Sequence, residues 1–384
     1  MAGRTGKTGL QAKCFPGRPL QILNKMVQEL VKVHPEFKLN GINFSENELA
    51  EVAYSLIKEG EDFEKSIGDF ILDWLSDSEV IAVKTSGSTG APKTIYHSKQ
   101  RMAKSAMATT NFFNLMPGQA VLLCLSAEYI AGKMMLVRAL TQGLDIDCIS
   151  PASDPLANSQ RSYDFVAMVP MQLANSLKHL DRVKKLLVGG APLGDDLKVA
   201  LAAVDTLVYE SYGMTETITH IALKKINHNS PESIAAFETL PGVSIATDDR
   251  GCLVIEAPDI ISSRLITNDM VELLSDSSFQ WLGRFDNVIN SGGIKLIPEQ
   301  IEKKLRAILE HRFFVYGLPD DKLGSKLVLF VEGNTDVSKL MSAIVSLKTL
   351  SKYEVPKEIL EISGFQETPT GKIDREKSTK LRSR

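Results

Sequence analysis

The spacing of apolar positions predicts alternating helices and buried strands up to about residue 230. Apolar residues recur with helical periodicity in three early segments, at 22–33, 46–58 and 63–75. Short apolar and β-branched runs then predict strands at 80–84, 121–125, 146–149, 165–169, 185–188 and 206–210. Amphipathic stretches between the runs predict helices at 98–113, 134–142, 171–180 and 193–204. Strands that alternate with helices are typical of α/β proteins, in which helices cover a mostly parallel sheet.

The pattern changes at about residue 235, where the helical periodicity stops. Short strand-like runs at 243–246, 252–256, 270–274 and 279–281 are separated by polar turns, which predicts an antiparallel β module over 235–285. Farther on, helices at 298–307 and 337–347 and strands at 313–317 and 327–332 predict a small α+β unit. We therefore predict a large N-terminal domain, 1–285, that includes the β module, and a small C-terminal domain, 286–384.

Composition narrows the class of protein. The 384 residues are 43% hydrophobic and carry a formal net charge of −3, which gives no electrostatic reason to expect nucleic acid as a partner. No apolar run approaches the roughly 18 residues of a membrane span. The four cysteines show no metal-binding or redox spacing, and free thiols fit a reducing compartment. The first residues lack the apolar core of a secretory signal, so we predict a cytoplasmic protein.

A loop rich in glycine and hydroxyl side chains follows the predicted strand at 80–84. Its residues are Thr85, Ser86, Gly87, Ser88, Thr89, Gly90, Ala91, Pro92 and Lys93. Glycine lets the backbone come close to a ligand. Backbone N–H groups, hydroxyls and a lysine ammonium can then donate to phosphate oxygens. The spacing differs from the G-x-x-x-x-G-K-[ST] loop of the P-loop NTPases, so the sequence predicts a phosphate-binding loop of another kind.

This loop resembles the ATP-binding signature of the adenylate-forming superfamily, which includes acyl-CoA synthetases, nonribosomal peptide adenylation domains and beetle luciferases. Five further segments resemble motifs of that superfamily and occur in its order, at 189–192, 212–216, 267–269, 283–302 and 368–375. The resemblance spans residues from about 80 to about 376. It implies ATP and Mg²⁺ as cofactors, CoA as co-substrate, and a small mobile C-terminal domain.

The resemblance also implies roles for residues of the large domain. The adenine-binding turn would contain Gly190, Ala191 and Pro192. Tyr212 would stack on adenine, and Gly213 would belong to the same motif. Thr215 would donate to the α-phosphate, and Glu216 would hold Mg²⁺, a hard cation that prefers oxygen ligands.

Later motifs would complete the nucleotide site and the CoA side. Asp269 and Arg284 would bind the ribose, and Asp286 would be the hinge of the small domain. Gly292, Gly293 and Lys295 would face CoA. Lys372 would contact the substrate carboxylate and the α-phosphate.

Two positions depart from the superfamily pattern. Asn268 stands where the superfamily has glycine, and asparagine tolerates a left-handed turn better than most residues. Gln366 stands where the last motif begins with proline.

The acid substrate must be inferred from the pocket. The stretch 129–138 and the short chain are similar to o-succinylbenzoate–CoA ligases of menaquinone biosynthesis, whose aromatic dicarboxylate carries a second charge. Lys133 or Arg138 could neutralise that charge, and Thr219 and His220 could bond a carbonyl or carboxylate.

Three alternatives share the same motifs. They are another aryl- or acyl-CoA ligase, a stand-alone adenylation domain that loads a carrier protein, and a non-enzymatic ATP-binding relative. The last is least favoured, because Lys372, Glu216 and Asp269 are all present. A homodimer is kept open as the assembly.

Overall fold

A large mixed sheet forms the framework of the protein. The structure is a computed structural model that describes residues 30–84, 93–230, 235–367 and 373–381. Thirteen strands make up this sheet, in the order β12-β13-β14-β15-β11-β10-β9-β8-β7-β5-β6-β1-β2. Their bounds are β1 Lys38–Leu39, β2 Ile42–Asn43, β5 Ala120–Leu123, β6 Asp145–Cys148, β7 Tyr163–Met168, β8 Val183–Val188, β9 Leu207–Gly213, β10 His220–Lys225, β11 Phe237–Thr239, β12 Ser244–Thr247, β13 Cys252–Glu256, β14 Leu265–Ser275 and β15 Ser278–Arg284.

The predicted α/β fold is confirmed. Within the run from β9 through β8, β7, β5 and β6 to β1, each successive pair of strands is parallel. From β10 onward the pairs are antiparallel, so the predicted β module is present but continues the same sheet. The helices before the β module are α1 Glu46–Glu59, α2 Asp62–Leu75, α3 Lys99–Phe112, α4 Ile130–Gln142, α5 Pro170–Ser176 and α6 Asp195–Leu201.

Some predicted elements differ from the structure. The helix predicted at 171–180 ends at Ser176 and continues as a 3-10 turn, Leu177–Arg182. Of the helix predicted at 22–33, residues 22–29 lie outside the described residues, and the remainder is a turn without a regular helix. Among the described residues, none of the helices combines the length and apolar character needed to cross a bilayer.

The strand predicted at 80–84 lies outside the large sheet. As β3, Val80–Lys84, it pairs in antiparallel fashion with β4, Thr94–Ser98, in a separate two-stranded sheet. Lys99 secures this hairpin, because its buried ammonium donates to the carbonyl oxygens of Trp74 and Ser76 at the end of α2, at 2.8 and 2.7 Å. A cation is favoured at the carbonyl end of a helix.

The residues after Phe285 form a smaller unit with its own sheet. Its strands are β16 Ile289–Ser291, β17 Ile294–Leu296, β18 Phe313–Asp320, β19 Gly324–Glu332 and β20 Glu358–Ile362. Its helices are α7 Pro298–Leu305, α8 Val337–Ser346 and α9 Arg375–Thr379. Two clusters of buried apolar residues, between Ile289 and Phe365, fill this unit. The domain boundary at 286 stays a prediction.

Candidate active site

The β3–β4 hairpin holds the two ends of the predicted phosphate loop. Lys84 pairs with Thr94, so the chain leaves and re-enters the hairpin at neighbouring positions. Residues 85–92, which include Thr85, Ser86, Gly87, Ser88, Thr89 and Gly90, lie outside the described residues. Lys93, the last residue of the predicted loop, is described, and its side chain is exposed. The phosphate-binding role of this loop stays a prediction.

The predicted adenine-binding turn lies directly after β8. Gly190 has a φ of +88°, a conformation that favours glycine. A Cβ atom on Gly189 would lie 2.5 Å from the Oγ atom of Ser211 on β9. Ala191 and Pro192 complete the turn. Because β8 and β9 are parallel neighbours, their ends share the carboxyl edge of the sheet, where ligands bind in open α/β sheets.

A sharp reversal follows β9. Gly213 packs so tightly that an added Cβ atom would lie 2.3 Å from the carbonyl oxygen of Thr219. The chain passes through a 3-10 turn, Thr215–Thr217, and then through Ile218 at φ +65° and ψ −61°. This is the geometry of a γ-turn that is rare and strained for a β-branched residue. The reversal leaves Thr215 and Glu216 before the strained residue and Thr219 and His220 after it.

Glu216 lines a cavity of about 270 Å³. The other walls come from β4, from the start of α3 and from the segment 260–265. His97 lines this cavity, and its pKa is lowered, mainly by burial and also by the charge of Arg101. The Thr215 backbone and the Glu216 carboxylate oppose this shift.

The residues of this cavity fit the cation that the sequence predicts. Within the described ranges, no group of three or more His, Cys, Asp and Glu residues could hold a metal ion by itself. Glu216 supplies one carboxylate to this cavity, and Mg²⁺ is commonly bound through one or two carboxylates together with substrate phosphates. The buried Nε2 atom of His97 also lacks a hydrogen-bond partner among these residues, so polar space is available beside Glu216.

Asp269 joins two of the predicted motifs. The Tyr212 hydroxyl donates to Asp269 Oδ2 at 2.7 Å, and Trp281 Nε1 donates to Oδ1 at 3.1 Å. Arg284 Nη1 lies 3.7 Å from the same Oδ1 atom. Burial and the Asp269 charge raise the pKa of Tyr212, so its hydroxyl stays protonated. The Tyr212 ring packs edge-on against Phe279, with 5.1 Å between the ring centroids.

Asn268 does not adopt the left-handed conformation that asparagine tolerates. Asn268 lies within β14, and it is not among the described residues with positive φ. The next residue, Asp269, pairs with Arg284 across β14 and β15, so Asn268 belongs to an extended strand and not to a turn. The Asn268 side chain donates to the Asp286 carboxylate at 3.3 Å, and Arg284 Nη2 donates to Asp286 Oδ2 at 2.9 Å.

A second polar cluster surrounds Arg138 on α4. Arg138 is 2% exposed, and Nη2 and Nη1 donate to Thr219 Oγ1 at 3.4 Å and Met135 Sδ at 3.5 Å. Its Nε atom has no partner in the described part of the chain, and none of the ion pairs found there includes this residue. Burial lowers the pKa of Arg138 to about 9.

His220 connects this cluster to α3. Its Nδ1 atom lies 3.3 Å from Thr219 Oγ1, and its Nε2 atom lies 3.3 Å from Thr109 Oγ1. Burial, and then the charge of Arg138, hold the pKa of His220 well below its usual range, so the ring is neutral. We define the Arg138 cluster as Ser105, Thr109, Arg138, Thr219 and His220.

Two members of the Arg138 cluster, Ser105 and Thr109, are not predicted from the sequence. Thr109 Oγ1 donates to the Ser105 carbonyl oxygen at 3.0 Å, and Ser105 Oγ is buried without a partner in the described ranges. The available signal was the pair of hydroxyl residues four positions apart on a helix, which places both on one face.

The structure does not bring Lys133 into the Arg138 cluster. Lys133 Nζ lies 4.9 Å from the ring centroid of Phe70 on α2. The pKa of Lys133 is lowered by burial, and the nearby carboxylates of Asp73 and Asp69 only partly offset this shift. Because five residues span about 140° around a helix, Lys133 and Arg138 point from different faces of α4.

The predicted CoA side lies on the small unit. Gly292 and Gly293 have φ of +57° and +82° and form the two-residue turn between β16 and β17. Two successive positive φ values are characteristic of a tight hairpin that favours glycine. A Cβ atom on Gly293 would meet no described atom within 4 Å, so this turn is open, and Lys295 is exposed on β17.

Lys372 lies outside the described residues, but its flanks are fixed. Glu367 forms an isolated antiparallel bridge with Ile373. Arg375 Nη2 donates to Glu302 Oε2 at 2.9 Å, and Nη1 donates to the Val315 carbonyl oxygen at 3.2 Å. Burial raises the pKa of Glu302 to about 7 despite the opposing charge of Arg375. These contacts attach the segment after Lys372 to α7 and β18.

The chain is similar to known proteins in sequence and in fold. The family profile of AMP-binding enzymes matches residues 62–253, which is half of the chain. A 2-succinylbenzoate–CoA ligase of Enterococcus faecalis is 25% identical over 335 residues, covering 78% of this chain and 69% of the relative. The chain spans about two thirds of the length of the first curated relatives that it matches.

Solved structures agree with the sequence relatives. An acyl-CoA synthetase (AMP-forming)/AMP-acid ligase II-like protein of Dyadobacter fermentans is 38% identical, covers 83% of this chain and 94% of its own, and has a TM-score of 0.57. The O-succinylbenzoate coenzyme A synthetase of Bacillus subtilis, in complex with ATP and magnesium, shares the fold at 19% identity, covering 88% and 82% of the two chains with a TM-score of 0.69. The predicted resemblance is confirmed, and the chain belongs to the AMP-binding enzyme family.

Proposed function

We propose that this protein is an ATP-dependent acid–CoA ligase that activates an aromatic dicarboxylate, with o-succinylbenzoate of menaquinone biosynthesis as the substrate. Family membership supports the ligase chemistry. The names of the curated relatives support o-succinylbenzoate. The observation that carries the choice of a dicarboxylate is the buried guanidinium of Arg138, which has no charged partner among the described residues.

A buried charge without a charged partner is energetically unfavourable. Removing an ion from water costs several kcal/mol, roughly, unless a partner compensates it. The described residues give Arg138 only a hydroxyl and a thioether as hydrogen-bond acceptors. A substrate carboxylate would supply the missing charge and could accept two parallel N–H bonds from the guanidinium. Thr219 and the neutral His220 would then hold the remaining polar atoms of the acid.

The other end of the acid would react at the nucleotide site. A carboxylate oxygen attacks the α-phosphorus of ATP, the bond to the pyrophosphate oxygen breaks, and an acyl-adenylate forms. Thr215, Lys93 and residues of the loop 85–92 would donate to phosphate oxygens, where charge develops. Glu216 would hold Mg²⁺, which neutralises phosphate charge when bound.

The nucleoside and the second half-reaction involve the later motifs. Tyr212, Asp269 and Arg284 would hold the adenosine, and Asp269 is already oriented by two hydrogen bonds. Lys372 would place its ammonium between the acid and the α-phosphate during adenylation. The CoA thiolate then attacks the acyl carbon, and AMP leaves.

Rotation of the small domain would separate the two half-reactions. Asp286 is the proposed hinge, and its carboxylate contacts Asn268 and Arg284. After the rotation, Gly292, Gly293 and Lys295 would face the CoA channel. The open turn at Gly293 supports this role, because a narrow pantetheine arm needs close backbone approach.

The central test is a pyrophosphate-release assay with a panel of acids, with and without CoA. We expect o-succinylbenzoate to be the preferred acid and o-succinylbenzoyl-CoA to be the product. Arg138→Met should lose this preference, whereas Lys133→Met, on another face of the same helix, should retain it. Preference for a monocarboxylate would contradict the dicarboxylate, and turnover with a phosphopantetheinyl protein instead of CoA would favour a carrier-loading domain.

We also propose a cytoplasmic location and keep the homodimer as a hypothesis. The described cysteines, Cys124, Cys148 and Cys252, are free thiols, which supports a reducing compartment. Fractionation of cells and sedimentation equilibrium of the purified protein test these two points. Recovery of the protein outside the cytoplasm, or a monomer at micromolar concentration, would contradict them.

A further inference from the structure

The cavity beside Glu216 contains a histidine that the proposed mechanism does not use. His97 is on β4, and it shares the cavity with Arg101, Glu216 and the segment 260–265. The imidazole is 8% exposed. We call this space the His97 cavity.

The Nε2 atom of His97 is buried without a hydrogen-bond partner in the part of the chain that the structure describes. The ring lies beside the turn that carries Glu216, since the Thr215 backbone and the Glu216 carboxylate both influence the pKa of His97. A buried polar atom without a partner costs about 1–3 kcal/mol. A neutral imidazole that donates through Nδ1 presents a lone pair at Nε2.

In this tautomer, a group that donates a hydrogen bond to Nε2 would satisfy the buried nitrogen. Water bound to a divalent cation is a strong donor, because the cation polarises its O–H bonds. Mg²⁺ usually keeps several of its waters when it binds beside phosphates. At about 30 Å³ for each water, the His97 cavity of about 270 Å³ has room for several.

We infer that His97 positions the divalent cation, because its Nε2 atom accepts a hydrogen bond from a water molecule bound to the cation that Glu216 holds. This inference rests on the proposed function, which assigns the cation to Glu216. His97 is a positioning residue, since it touches neither the acid nor the nucleotide in this arrangement. Arg101 and Arg264 add positive charge to the cavity, so the cation should enter together with the nucleotide and not alone.

The test uses Mn²⁺ as the probe and an ATP analogue with a methylene bridge between the α- and β-phosphates. Titration of free Mn²⁺, followed by electron paramagnetic resonance, gives the cation affinity without turnover. His97→Phe fills the space of the ring but lacks an acceptor, and it should weaken the affinity about 10- to 100-fold. His97→Gln places an amide oxygen near the former Nε2 position, so its affinity should remain within about 3-fold of the wild type.

Two further variants keep the inference testable. His97→Asn is smaller, and its amide ends near the former Nδ1 position, so it should weaken Mn²⁺ affinity about as much as His97→Phe is expected to. It therefore tests the same point if His97→Phe does not fold. His179→Phe, at a half-buried histidine 3.9 Å from Asp154, is the matched control and should bind Mn²⁺ as the wild type does.

Specific outcomes would overturn the inference. Unchanged Mn²⁺ affinity in His97→Phe and His97→Asn would show that the ring serves packing or a residue of the loop 85–92. Equal losses in the Gln and Asn variants would show that no acceptor is required at the Nε2 position. Strong nitrogen coupling to Mn²⁺ in the wild type would show a directly bound imidazole. Failure of the proposed function is distinct, because the wild-type protein would then release no pyrophosphate with any acid.

Discussion

The Tyr212 hydroxyl donates a 2.7 Å hydrogen bond to Oδ2 of Asp269, although the two residues are 57 positions apart. Trp281 engages the other carboxylate oxygen at 3.1 Å. Both oxygens of Asp269 are therefore oriented by the protein before a ligand arrives. A preorganised carboxylate spends less free energy on ordering when it binds a ribose.

Loss of the tyrosine hydroxyl should reduce both stability and nucleotide binding. Tyr212→Phe leaves Asp269 Oδ2 without its donor, and it should lower the free energy of unfolding by about 1–3 kcal/mol, because hydrogen bonds to charged groups are strong. Urea unfolding and calorimetric titration with AMP measure the two effects. Tyr209→Phe, on the same strand and packed against Phe112 and Phe113, is the matched control. Equal changes in unfolding free energy and in AMP affinity in the two variants would contradict the role of this hydrogen bond.

Local signals in the sequence are sufficient to predict most of the fold. The helices at 46–58 and 63–75 are correct within one residue at each end, and Ser45 and Glu48 cap the first of them reciprocally. Strand partners depend on contacts far along the chain. For that reason the sequence predicts strand 80–84 but not its pairing with β4, nor the continuation of the parallel sheet into the antiparallel strands.

In the candidate site too, local sequence signals do not predict contacts between residues that are far apart in the chain. The sequence singles out Arg138 and His220, but their burial and their link through Thr219 depend on packing between α3, α4 and β10. Lys133 is near Arg138 in the chain and yet contacts Phe70 on α2. Ser105 and Thr109 carry no motif. The contact of Thr109 with His220, and the buried Ser105 hydroxyl without a partner in the described ranges, make them candidates.

Removal of the Arg138 charge should increase stability while it weakens binding of the dicarboxylate. Arg138→Met fills a similar volume and removes an ion that has no charged partner in the described ranges. It should raise the free energy of unfolding of the ligand-free protein by about 1–4 kcal/mol. Urea unfolding measures this gain, and the KM for o-succinylbenzoate should rise in the same variant. A binding site that costs stability is expected to show this opposition.

A paired arginine provides the contrast for this experiment. Arg161 donates to Asp145 and Asp147 at 2.6 Å each. Arg161→Met should therefore lower the free energy of unfolding by about 1–3 kcal/mol and leave the acid preference unchanged. If Arg138→Met is as destabilising as Arg161→Met, Arg138 has a structural partner, and the argument for a substrate carboxylate fails.

The neutral His220 should make the protein sensitive to acid. Burial and the Arg138 charge hold its folded pKa well below the usual 6.5, so the unfolded chain binds the proton more readily. The stability that the neutral ring contributes is present above about pH 6.5 and decreases as the pH falls, by at most about 1.4 kcal/mol per pH unit. His97, whose pKa is also lowered, contributes with the same sign.

Urea unfolding between about pH 8 and pH 5 measures this dependence. His220→Gln should reduce the slope below pH 6.5, because the amide does not titrate. His228→Gln, at an exposed histidine, is the control and should retain the wild-type slope. A slope in His220→Gln equal to that of the wild type would mean that the ring is protonated in the folded protein.

Lys372 should be required for only one of the two half-reactions. Arg375 and Glu302 anchor the segment that follows it, so truncation of the lysine alone should leave the small unit folded. Lys372→Ala should reduce adenylate formation on the order of 10²- to 10³-fold, the usual effect of removing one fixed charge from a developing phosphate charge. The same variant should still transfer the acyl group from supplied acyl-adenylate to CoA, because the hinge would have moved the lysine away.

Lys377→Ala, at an exposed lysine paired with Asp374, is the control and should retain both activities. Acyl-adenylate formation at the wild-type rate in Lys372→Ala would remove Lys372 from the mechanism, and equal loss of both half-reactions would instead contradict the rotation about Asp286.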